Sequence, residues 1–175
     1  MEDLADWLRL SLTYGVGNDA ARRLLADFGM PKAIFSANES ALQLVVSVAQ
    51  AAALQQAPER YTTQLALTHA WLEGAGADGV PRRIVTLGDA AYPSSLLNIE
   101  DPPMLLYLLG RGSFGERPGA MDVNTSVAVV GSRNPTHQGA ENARQFAKAL
   151  ANRGLTVVSG MALGVDGAAH AGALE

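Results

Sequence analysis

The sequence predicts a mixed α/β chain in which an all-helical N-terminal part precedes the start of a doubly wound parallel sheet. Three observations carry this. Val127 to Val130 and Thr156 to Val158 are short β-branched runs on either side of one amphipathic segment, a βαβ pattern. Both runs are apolar throughout, as expected of parallel strands covered on both faces. Ahead of residue 75, apolar residues recur at helical spacing instead.

The helical part begins with Leu4, Trp7, Leu8 and Leu12 in one apolar stripe, interrupted by Gly15-Val16-Gly17. Asn18 or Asp19 can then cap a second helix whose inner face is Ala21, Leu24, Leu25 and Phe28. Helix, Gly-Val-Gly, helix is a helix-hairpin-helix pattern. Such a hairpin either offers backbone N–H groups to a DNA phosphate, with Arg22 and Arg23 close by, or packs only against its neighbours. The acidic balance of the chain favours packing. Further helices are expected over Pro31 to Ser36, over Ser40 to Leu54 with Asn38 or Ser40 as cap, and over Glu59 to Glu73, where Tyr61, Leu65, Thr68 and Leu72 recur. The glycine-rich run that follows reads as a linker. The expected division is a helical domain at 1–75, a linker at 76–82 and a sheet domain at 83–175.

In the second part, Arg83 to Leu87 and Met104 to Leu109 are expected strands that join the extended sheet, and Gly110 to Asn124 a mobile surface loop. Between the two strands of the βαβ unit, Ala143, Phe146, Ala147, Leu150 and Ala151 fall on one helical face, with Arg144 and Lys148 outward. Gly154, after Arg153, is placed to stop that helix. The chain ends at Glu175, just inside the helix after the second strand, so the sheet reads as the opening portion of a longer one.

Composition bounds the function. With 175 residues, 48% hydrophobic and 17% charged, the chain can bury a core and is not compositionally disordered. It has no cysteine, which excludes a disulfide framework and a thiolate metal site. No apolar run reaches membrane-spanning length and the start, Met1-Glu2-Asp3, lacks the basic region of a signal peptide, so a cytosolic protein without a membrane partner is expected. The 13 Lys and Arg against 17 Asp and Glu give a net charge of −4. A nucleic-acid binder usually shows a basic footprint, so any such binding here must come from a local constellation.

One constellation stands out at the two strand tips. The loops Gly131-Ser132-Arg133-Asn134-Pro135-Thr136 and Ser159-Gly160-Met161-Ala162-Leu163-Gly164 each follow a strand and feed a helix, where ligands of open α/β sheets gather. Glycines let N–H groups approach an anion, hydroxyls add donors, and Arg133 supplies a fork matched to phosphate oxygens. The spacing is neither that of a dinucleotide fingerprint nor that of a Walker loop. Phosphate binding and plain tight turns both remain open from spacing alone.

The residues that carry these loops also carry a resemblance. Val-Ala-Val-Val-Gly-Ser-Arg at 127–133, Thr136, and Val-Val-Ser-Gly-Met-Ala-Leu-Gly-Val-Asp-Gly-Ala-Ala-His at 157–170 resemble the signature of the DNA-processing protein A family, also called DprA or Smf. Gly88-Asp-Ala-Ala-Tyr-Pro and Asp101-Pro-Pro-Met-Leu-Leu-Tyr resemble the approach to that family's Rossmann-like domain, and the N-terminal helices its sterile-alpha-motif-like domain. The resemblance implies a cytosolic protein, homodimeric when intact and without a cofactor, that binds and protects single-stranded DNA and loads the recombinase RecA during natural transformation. It implies a DNA-phosphate pocket of Gly131, Ser132, Arg133, Thr136, Ser159, Gly160, Gly164 and Asp166. The sequence departs from the family pattern at Leu163, where a basic residue is frequent, at Val165 and at Gln138.

The alternative is a Rossmann-type nucleotide-binding enzyme, similar to a nucleoside monophosphate phosphoribohydrolase, which uses a comparable glycine-lined cradle. The residues offer no Ser/His/Asp set, paired-carboxylate motif or metal spacing, so no catalysis is assigned to them. Asp166 fits a helix cap better than a catalytic base, and His69, His137 and His170 have no second ligand nearby in sequence.

Overall fold

A computed structural model describes residues 2–74, 79–110 and 123–175. The chain divides into two compact units, 1–115 and 116–175.

The first unit is built on helices α1 (Glu2–Leu12), α2 (Asn18–Phe28), α3 (Pro31–Ser36), α4 (Glu39–Leu42), α5 (Val48–Leu54) and α6 (Tyr61–Glu73). Trp7, Ala21 and Leu24 of the expected apolar stripes lie in its core, joined by Leu10 and Val16, which the stripes did not include, and closed by Ile34, Leu42, Ala51 and Leu54, while Leu4 and Leu12 are half-buried. Two local readings change. The expected helix from Ser40 to Leu54 is two helices, because Ser47 forms a capping box with Gln50 and so starts a new one: its hydroxyl accepts from the Gln50 N–H while the Gln50 amide accepts from the Ser47 N–H. Helix α2 is capped by Gly17 without a side-chain cap bond, since Asn18 donates to Asp101 and Asp19 pairs with Arg23 instead.

Strands β1 (Arg82–Thr86) and β2 (Leu105–Leu109) also belong to this unit. They pair with each other, antiparallel, from Arg82 opposite Leu109 to Thr86 opposite Leu105, and do not join the later strands. The reason lies in what they pack on. Met104, at the foot of β2, enters the helical core, the Thr68 and Tyr107 hydroxyls lie 2.9 Å apart, and Arg82 donates to the Trp71 carbonyl at 2.7 Å. Side-chain and backbone bonds to α6 thus tie this hairpin to the helices. Most of the expected loop at 110–124 lies outside the described residues.

The second unit holds β3 (Ser126–Ala128), α7 (His137–Ala151), β4 (Thr156–Val158) and α8 (Val165–Ala173). Strands β3 and β4 are parallel, in register from Ser126 opposite Thr156 to Ala128 opposite Val158, as the βαβ pattern requires. Gly154 takes φ +81° and closes α7, and the Leu155 N–H reaches back to the Leu150 carbonyl. Phe146, expected to face inward, is 68% exposed. Helices α7 and α8 touch through small residues, Ala143, Ala147, Ala169 and Gly172, and at Gly172 the backbones approach too closely for a bulky side chain to lie between. Arg144 and Lys148 turn to the end of the chain, where both pair with the Glu175 carboxylate.

Candidate nucleic-acid interface

The tips of β3 and β4 are adjacent, and the loops that leave them are locked together. The Val165 N–H donates to the Ser132 carbonyl at 3.1 Å, and the Ser159 hydroxyl donates to the Val129 carbonyl at 2.7 Å. Two glycines make this approach possible. A Cβ on Gly164, whose φ is +86°, would lie 2.4 Å from the Ser132 carbonyl oxygen and 2.7 Å from that of Arg133. A Cβ on Gly131 would lie 2.9 Å from the Val165 side chain. Both positions need glycine for packing, whatever else the site does.

All eight residues read from the sequence as the pocket are thus brought to one end of one small sheet, but in different roles. Thr136 caps α7, its hydroxyl accepting from the Gly139 N–H at 3.1 Å. Ser159 is committed to Val129. Gly160 donates its N–H to Asp166 at 3.1 Å, and Ala162 does the same at 3.4 Å, to the same oxygen, Oδ2. Asp166 is buried at 6% exposure and sits one residue into α8, so it braces the preceding loop and does not cap the helix that carries it. Nothing in the local sequence separates these two roles, because both need an acid at a helix start.

What stays open is the first loop. The backbone N–H groups of Gly131, Ser132 and Arg133 meet no acceptor among the described residues, and all three residues are exposed. The Ser132 hydroxyl accepts from the Asn134 N–H at 3.0 Å, which leaves its own proton to donate. The Arg133 guanidinium has no hydrogen bond or ion pair among the described residues. Glu141, early in the helix that follows, lies beside Arg144 at 3.6 Å. Open amides and a guanidinium without a partner among the described residues thus lie on one exposed loop that leads into a fifteen-residue helix, donors of the kind an anion takes.

The N-terminal hairpin is arranged differently. Arg22 donates to Asp101 at 2.9 Å, and Arg23 to Asp19 at 3.2 Å and to the Val45 carbonyl at 2.8 Å. Both arginines near the Gly-Val-Gly turn are engaged within their own unit, which supports the packing role for this hairpin. Among the described residues no group of three or more His, Cys, Asp or Glu could hold a metal ion, and no helix is long and apolar enough to cross a membrane.

The sequence model described as DNA recombination-mediator protein A matches residues 83–175, which is more than half of the chain. The chain belongs to that family. Protein Smf of Synechocystis is 39% identical over 93 residues, 53% of this chain and 23% of that protein. Protein Smf of Escherichia coli is 30% identical over an alignment of 184 positions that spans 100% of this chain and 42% of that protein. The chain therefore spans less than half the length of these family relatives. The X-ray structure of DNA processing protein A from Streptococcus pneumoniae matches with a TM-score of 0.64 at 24% identity, covering 99% of this chain and 54% of that one, a likeness of fold. The family match includes both strand-tip loops, β2 and all but the first residue of β1.

Proposed function

We propose that this chain supplies the phosphate grip of a single-stranded DNA-binding recombination mediator. The observation that carries the reading is the Arg133 guanidinium, without a partner among the described residues, on the same loop as the open amides of residues 131–133 ahead of α7. Amides and a planar fork hold a phosphate diester without regard to base sequence, which is what a general single-strand binder requires. Family membership supports the wider role, in which the intact protein acts in the cytosol as a homodimer, protects an incoming strand and passes it to RecA.

The test is a titration of the protein with fluorescent oligo-dT over a range of salt. Arg133→Ala is expected to weaken binding by about 1.5–3 kcal/mol, the scale of a charged hydrogen bond. It should also lower the salt slope by about 0.7, one phosphate contact's share on single strands. Folding should be unaffected, because the side chain touches nothing that holds the loop. Unchanged affinity would remove the phosphate role, and cleavage of a nucleoside monophosphate without retention of oligo-dT would establish the enzyme alternative.

A further inference from the structure

The loop after β4 combines features that phosphate binding does not explain. Met161 has φ +58°, and it is the sole non-glycine residue with positive φ among the described residues. A side chain there costs on the order of 1–3 kcal/mol in backbone strain, so its surroundings must enforce the conformation. They do. The N–H groups on either side of Met161 both donate to Oδ2 of the buried Asp166, and Gly164 presses the end of the loop against the Arg133 backbone. The enforced turn leaves two large apolar side chains in solvent, Met161 at 77% exposure and Leu163 at 82%. Strain, a buried carboxylate and two exposed apolar groups all meet in one short loop that lies against the Arg133 backbone.

We propose that this loop is a base-contact platform, on which Met161 and Leu163 lie against the nucleobases of a strand whose backbone is held at Arg133, with Asp166 as the positioning residue. The proposal rests on the single-strand reading above. Its occupant follows from continuity. Leu163 precedes the glycine that touches Ser132 and Arg133, so a strand gripped at residues 131–133 places its bases within reach of this loop. An apolar face has affinity for the flat face of any base and none for the phosphate, which complements the polar donors next to it.

The role of Asp166 in this scheme differs from that of a phosphate ligand or a proton acceptor. Both amides converge on a single oxygen, so the carbonyl oxygen of an asparagine can replace it, whereas a carboxylate next to a phosphate would repel it.

The experiment compares oligo-dT with an abasic oligomer of equal length and charge, by fluorescence anisotropy on the full chain. The expected result is tighter binding of oligo-dT by the unmodified protein. Met161→Gly combined with Leu163→Ala should lower oligo-dT affinity by about tenfold. It should leave abasic binding and the salt slope unchanged. Glycine accepts positive φ without strain, so this variant keeps the loop while losing the side chain. Asp166→Asn should stay within about twofold of the unmodified protein, whereas Asp166→Ala should lose about tenfold or more. Equal affinity for the two oligomers, or a loss in Asp166→Asn as deep as in Asp166→Ala, overturns the proposal while the Arg133→Ala result still decides the phosphate reading. A changed oligomeric state in the Met161→Gly, Leu163→Ala variant assigns the apolar face to a second copy of the chain and overturns it as well.

Discussion

Helix α8 contains two glycines that alanine should affect in opposite directions, and the difference can be worked from the geometry. At Gly172 an added Cβ would lie 2.0 Å from the Arg144 carbonyl oxygen, 2.8 Å from its carbon and 2.9 Å from its Cα, all backbone atoms of α7. Contacts under 3.0 Å essentially never occur, so the two helices must part by more than an ångström. Alanine in a helix interior gains about 0.5–1 kcal/mol over glycine. Overpacking costs about 1–3 kcal/mol, and it wins here because the obstacle is backbone that no rotamer change can move. Parting the helices also loosens Glu175 from Arg144 and Lys148, which adds to the loss. The net expectation for Gly172→Ala is a destabilisation of about 1–2 kcal/mol. At Gly167 the nearest atom to an added Cβ is the Ala162 carbonyl oxygen at 3.5 Å, an ordinary contact on an exposed face. Gly167→Ala should therefore stabilise by about 0.4–1 kcal/mol. Both tryptophans lie in the first unit, so fluorescence does not report on this helix pair. Amide hydrogen exchange of peptides from α7 and α8 does. If Gly172→Ala protects those peptides as well as Gly167→Ala, the close crossing of the two helices is wrong.

Two further outcomes follow from the same structure. The hydrogen bonds from Lys148 and Arg144 hold the Glu175 carboxyl below its usual pKa, so the charged form is favoured in the folded state. The stabilisation is complete above the unfolded-state value of about 4.3 and is lost as pH falls through the lower folded-state value, so exchange protection of α8 should drop across that interval, and Glu175→Gln should abolish the drop. Removing the capping box with Ser47→Ala should cost about 1 kcal/mol of the first unit's stability, read from tryptophan fluorescence in a urea titration, with Gln50→Ala adding little in the double variant because the two bonds act as one motif.

The sequence by itself determined whatever depends on near neighbours along the chain. The βαβ order, the helix stop at Gly154, the inner face of α2, the Trp7 and Leu8 part of that of α1 and the two strand-tip loops were legible, because periodicity, β-branching and glycine act within a few residues. Tertiary structure decided which donors were already engaged. Ser159 is spent on Val129, thirty residues away, while Arg133 finds no partner among the described residues. It also decided that β1 and β2 pair with each other over the helices, and that Phe146 faces out where small residues let α7 and α8 close together. The physical reason is the same in each case. A hydrogen bond or a close backbone crossing depends on which distant group fills the space first, and local pattern carries no record of that competition.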